Sequence, residues 1–139
     1  MEEKQSNEKK AQQMYLEFQV LDQQIKQLHK QLELVTQQLI ELTATNNGLE
    51  ELKKVKAGKE IFVPISSCIF AKANISDASE LLVNVGANVV VSKNIDSTKE
   101  LIKNQQEEVK KLHKQMAEDL EKMTNHAVQL EDQLQKLVS

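Results

Sequence analysis

From Met14 onward the apolar residues keep strict time: Met14, Phe18, Leu21, Ile25, Leu28, Leu32, Val35, Leu39 and Leu42 follow at alternating steps of four and three. An apolar residue about every 3.5 positions holds a stripe on one side of a slightly underwound α-helix, and that stripe has to be covered by another helix. The count continues through Asn46 to Leu49, and Gln, Glu and Lys, all good helix formers, fill most of the remaining positions.

A second segment of this kind starts near Ile95. Ser97-Thr98-Lys99-Glu100 has the form of a capping box, with hydroxyl and carboxylate each satisfying a free N–H of the first turn. Its seam reads Thr98, Ile102, Gln105, Val109, Leu112, Met116, Leu120, Met123, Ala127, Leu130, Leu134 and Leu137, with a stutter at Met116–Leu120. Helices over residues 10–56 and 96–138 would run ~70 and ~65 Å. Paired antiparallel with Leu49 opposite Ile102, they set Val35 opposite Met116 and Phe18 opposite Leu134. Asn46 then faces Gln105, a polar layer able to fix register.

Between the helices lies a segment of another kind. From Glu60 to Lys93 five residues of 34 are charged and nineteen are apolar, mostly Val and Ile. Turn-forming clusters at Ser66-Ser67, Ser76–Ser79 and Gly86–Asn88 divide it into four strands near 61–65, 69–75, 80–85 and 88–92. Gly58 and the lysines before it mark the end of the first helix. The chain therefore divides into a helix over 1–57, two β-hairpins over 58–94 and a helix over 95–139: mostly α with a little β. Two lone hairpins are marginal in water and leave Val- and Ile-rich edges unpaired. Their natural cover is the same segment of other chains, in an interface that closes only in an oligomer. The residues expected to build it are Ile61, Val63, Ile65, Ile69 and Phe70 in the first hairpin, with Leu81, Val83, Val85, Val89 and Val91 in the second. Pro64, which lacks a donor, suits an edge or a bulge.

Several functions are disfavoured by what the residues lack. All 18 basic residues are lysines and the net charge is −3, a poor match to a nucleic-acid backbone. Lys53-Lys54-Val55-Lys56 is too short a basic run to change that. No phosphate loop, dinucleotide-binding fingerprint or zinc-protease motif occurs, so no enzyme, cofactor or metal site is expected. His29, His113 and His126 fall outside the seam and are expected on the surface. Cys68 is expected to be a small buried hydrophobe. The charged beginning of the sequence is not a signal peptide, and no apolar run approaches the ~20 residues that span a bilayer. A cytoplasmic protein with no membrane partner is expected.

Helix, "GKEIFVPISSCIFAKANISDASELLVNVGANVVVSKNIDSTKELI" and partner helix together resemble the prefoldin alpha class. The most specific pieces are Val63-Pro64-Ile65, the run Val83–Ala87 and the exit Val91-Ser92-Lys93. Two hairpins point to the alpha and not the beta class. Ser66-Ser67-Cys68 departs from the Gly-rich turn of archaeal alpha subunits, and the eukaryotic subunit 5 class is similar. The resemblance implies an ATP-independent chaperone in which this chain joins a second alpha subunit and beta subunits, their hairpins assembling into an intersubunit β-barrel. Such a chaperone holds unfolded polypeptides at coiled-coil tips and passes them to a group II chaperonin. On this chain the tip residues are Met14, Phe18 and Leu21 with Leu130, Leu134 and Leu137, flanked off the seam by Tyr15 and Val138. A structural, filament-forming relative without client transfer is the alternative.

Overall fold

The computed structural model describes residues 2–138. The order is α1 (Glu2–Lys53), β1 (Glu60–Ser66), β2 (Ile69–Asn74), β3 (Leu81–Gly86), β4 (Val89–Lys93) and α2 (Ile95–Val138). Two compact units arise from it: a terminal unit, Met1–Gln38 with Val109–Ser139, and a hairpin unit, Leu39–Glu108.

Every residue of the α1 count from Met14 to Leu49 is buried or half-buried. Leu21 and Val35 are buried in the terminal unit together with Met116 and Leu130, while Leu49, Thr98 and Ile102 are buried in the hairpin unit. Each fully covered aliphatic side chain contributes about 1.5–3 kcal/mol before ordering costs.

On α2 the inner face differs from the count. It runs Thr98, Ile102, Gln106, Val109, His113, Met116 and Leu120, whereas Gln105 and Leu112 are exposed, Leu112 at 50%. The stutter therefore sits at Thr98–Ile102–Gln106 and not at Met116–Leu120. His113 is half-buried and not a surface residue. Ile102, Val109 and Met116 belong to both frames, so the apolar residues alone do not choose between them. Polar pairs between the helices go with the observed frame. Lys99, mostly covered, pairs with Glu50, and Gln106 Nε2 donates to Thr43 Oγ1 at 3.4 Å. Lys53 and Asp96 meet at 2.7 Å. The polar partner beside Asn46 is thus Gln106, and Gln105 faces water.

The pairing in the terminal unit is displaced accordingly. His126 lies 3.7 Å from Glu17, and Leu137 lines one groove with Ala11 and Gln12. The Leu137 contact is about one helical turn from the counted register and the His126 contact about two; carried along the helices, the Leu137 contact sets Phe18 level with Leu130 and Val35 level with His113.

The caps also correct a detail. The Asn94 side chain, not that of Ser97, caps α2: the Ser97 amide donates to Asn94 Oδ1 at 2.7 Å, and Thr98 Oγ1 donates to the Asn94 carbonyl at 2.8 Å. Gly58, at φ +87°, follows the last turns of α1 and donates to the Ile75 carbonyl, carrying the chain into β1.

Each hairpin is a separate two-stranded antiparallel sheet. Pro64 faces Phe70, and the register slips between Pro64 and Ser66, so the proline stands beside a bulge that absorbs its missing donor. The second hairpin closes through Ala87 (φ 50°) and Asn88 (φ 59°), a left-handed pair matched to the twist of its strands. Between the hairpins Asp77 accepts from the Ser79 hydroxyl at 2.6 Å and its amide at 2.8 Å. These bonds hold its carboxyl below the ordinary value, so the turn keeps its charge at mildly acid pH.

Two substitutions separate the observed cap from the expected one. Asn94→Ala should cost about 1 kcal/mol in urea unfolding and Ser97→Ala much less; equal losses would restore the Ser97 cap. Met116→Ala should cost about 2–5 kcal/mol against less than about 1 kcal/mol for Leu112→Ala, since only the former empties a covered position.

Candidate functional site

The hairpins are made of residues that belong inside a protein, yet the described residues cover none of them fully. No residue from Glu50 to Ser97 is buried. Ile61, Leu81, Val83 and Val91 are half-buried, and Val63, Ile65, Ile69, Phe70, Val85 and Val89 are exposed.

Register explains how this surface is arranged. Ile61 pairs with Ala73 and Val63 with Ala71, which puts small and branched side chains on one face of the first hairpin. Phe62 pairs with Lys72 and Pro64 with Phe70 on the other face. In the second hairpin Val83 pairs with Val91 on one face, while Leu82 pairs with Ser92 and Asn84 with Val90 on the other. Phe62 (61%), Leu82 (78%) and Val90 (55%), outside the set expected from sequence, are as open as its exposed members. Their signal was present: strands apolar on both faces read as strands covered on both faces.

The charges here are largely satisfied locally. Lys72 meets Glu60 at 3.2 Å across the first hairpin, and the Ser92 hydroxyl donates to Glu80 at 2.6 Å across the second. What is left for a partner is apolar side chain and unpaired strand edge. Cys68 is exposed in the β1–β2 turn with the Ser67 hydroxyl 3.8 Å away, against the expectation of a buried thiol. The turn has only two residues and no cover from a second layer, so its side chains project into solvent.

In the terminal unit the side chains proposed as a tip fall into three groups. Leu21 and Leu130 are buried, at 8% and 5% exposure. Met14, Phe18, Leu134 and Leu137 are half-buried, and Tyr15 and Val138 are open at 55% and 76%. Leu16, Val20 and Val128 are also open, at 61%, 55% and 60%. They lie off the inner stripe, where seam counting does not look. Among the described residues no cluster of acidic, His or Cys side chains has the makings of a metal site, and no helix is long and apolar enough to cross a membrane.

An antiparallel helix pair carrying two small hairpins, apolar on both faces and uncovered within the chain, defines a class of coiled-coil assembly subunit. The family model described as "Prefoldin subunit" matches residues 21–139, and the chain belongs to the prefoldin family. Its members are chaperone subunits that form oligomeric complexes of alpha and beta types. The chain is 32% identical over 135 residues to a prefoldin subunit alpha of Pyrococcus horikoshii, covering 94% of this chain and 90% of that one. It is 28% identical over 118 residues to a prefoldin subunit alpha of Thermofilum pendens, covering 85% and 92%. The fold is shared with a filamentous prefoldin of Methanocaldococcus jannaschii solved by cryo-electron microscopy. That match has a TM-score of 0.72 at 16% identity and covers 81% of this chain and 93% of the other.

Because Leu82 is uncovered within the chain, Leu82→Glu should change the unfolding free energy of the lone subunit by less than about 0.5 kcal/mol. The same change should lower the assembled mass seen by native mass spectrometry. Loss of helicity in the lone subunit would show instead that the hairpins are held by the chain itself.

Proposed function

We propose that the hairpins close, together with those of beta-type subunits and a second alpha subunit, into a shared β-barrel base. The apolar side chains of the terminal unit hold non-native polypeptides for delivery to a group II chaperonin in the cytoplasm. The observation that carries this reading is the stretch from Glu50 to Ser97: rich in Val and Ile, and without one buried residue. Edges of that composition aggregate unless covered, and paired hairpins from several subunits cover them.

Holding a non-native chain needs apolar surface without shape specificity, because burial is non-directional. Tyr15, Leu16 and Val138 offer such surface as the helices stand, joined by Val20 and Val128. Met14, Phe18, Leu134 and Leu137 add to it as the ends of the helix pair open, and Leu21 with Leu130 only when they open further. A single subunit binds weakly, and several on one base gain through effective concentration. No nucleotide is needed for such a cycle.

The second reading is a filament-forming structural protein. What favours it is the likeness in fold to a protein whose solved structure is described as filamentous. Co-expression with a beta-type subunit decides between them. A closed particle of fixed mass that keeps a denatured client soluble supports the chaperone, and polymers of growing length support the filament.

The holding surface has its own test. Tyr15→Ser, Leu16→Ser and Val138→Ser together should leave the assembled mass unchanged. They should reduce suppression of client aggregation, each removing up to about 1.5–3 kcal/mol of contact. Undiminished suppression by an intact triple variant refutes this placement of the surface.

A further inference from the structure

α2 carries two alternative inner faces. Ile102, Val109 and Met116 stand seven apart, and each is inner in either frame. What distinguishes the frames is the company they keep: Gln106 and His113, half-buried in the structure, or Gln105 and Leu112, which face out. Successive residues of an α-helix are about 100° apart, so exchanging one set for the other turns the stripe by only about 50°. The exchange slides the stutter along the helix and leaves the inner residues beyond Met116 unchanged. It is a local rotation between two seams that share their anchor residues.

The observed frame is unusual in its choice. It half-buries an imidazole and leaves a leucine 50% exposed beside it. A neutral imidazole is tolerable there, but an imidazolium has no counter-charge. The displaced register sets His113 at the level of Val35, and within four residues of Val35 on α1 the one charged residue is Glu33, which is exposed. The nearest ionisable residues on α2 are Lys110, Lys111 and Lys114, all of like sign. His29 on α1 is exposed, and His126 lies beside Glu17, so neither takes an inner position. Histidine is the side chain that changes charge between about pH 5 and 8. We propose that α2 is a two-position seam switched by His113: neutral His113 lies inward with Leu112 outside, and protonated His113 turns out while Leu112 takes its place. The inner face of α2 then repacks on acidification without unfolding.

The test uses the assembled full chain with Cys68→Ser and Leu112→Cys. A parallel sample carries Val128→Cys in the same Cys68→Ser background as an exposed reference, and both react with a methanethiosulfonate reagent near pH 8 and near pH 5.5. The labelling rate of the Leu112→Cys sample relative to the Val128→Cys sample should fall about fivefold or more at the lower pH, since a covered thiol reacts only through opening. With His113→Gln added, the relative rate should stay constant. A constant relative rate with His113 in place overturns the proposal, as does an equal fall with His113→Gln. If the cysteine variant fails to assemble, NMR of the unaltered chain decides. A His113 titration that moves the Leu112 methyl resonances supports the exchange, and one that leaves them in place overturns it.

Discussion

The constraint on which this structure turns is that the four strands cannot be buried by their own chain. A two-stranded sheet has two edges and two faces, and here both faces carry Val, Ile, Leu or Phe. The inner stripes of the helices are taken up with each other, and no residue from Glu50 to Ser97 is buried. The hairpins are therefore stable in quantity only when other hairpins cover them. The oligomer follows from this shortage of cover, and the repeated terminal units follow from the oligomer. Multivalent holding is the use to which such repetition lends itself.

The helices show how a coiled coil can be specified by more than its apolar repeat. The inner stripe of α1 follows the apolar count at every position from Met14 to Leu49, because every seam residue before Asn46 is apolar. On α2 the same method chose Leu112 over His113 and Gln105 over Gln106. The choice was reasonable from hydrophobicity alone. Lys99 with Glu50 and Gln106 with Thr43 act on the other side of the balance. Exposed pairs of this kind contribute little each, but Lys99 is largely covered, and the pairs act together at one end of the helix. Polar contacts between residues 49 to 63 positions apart do not show in a periodicity read along one strand of sequence.

Legibility thus follows the range of the interaction. Strand positions are readable because β-branched runs and turn residues act locally, and Pro64 marks an edge or a bulge, of which the structure has the bulge. The α2 cap was misassigned because Asn94 and Ser97 are both good capping residues three apart, and only the direction of entry from β4 selects between them. Cys68 was misplaced for a different reason. A cysteine beside strand residues resembles a core residue, and whether a turn is covered depends on a layer that this chain does not supply. Leu16, Val20 and Val128 do not show in a seam, because an apolar repeat marks what helices hide and these residues are left open.

Both departures from the count point to the same physical property. A helix pair that covers its best apolar residues everywhere has one deep minimum and nothing left to offer a partner. This one leaves Leu112 open in the middle of a helix and Tyr15, Leu16 and Val138 open near its ends. Unused apolar surface lowers stability relative to the best attainable packing, which is the usual relation between a working surface and the fold that carries it. At Leu112 the unused group has a rival in half-buried His113, which holds the inner position in its place. Near the ends the unused groups Tyr15, Leu16 and Val138 have no such half-buried rival beside them, and they stay open to whatever apolar surface meets them.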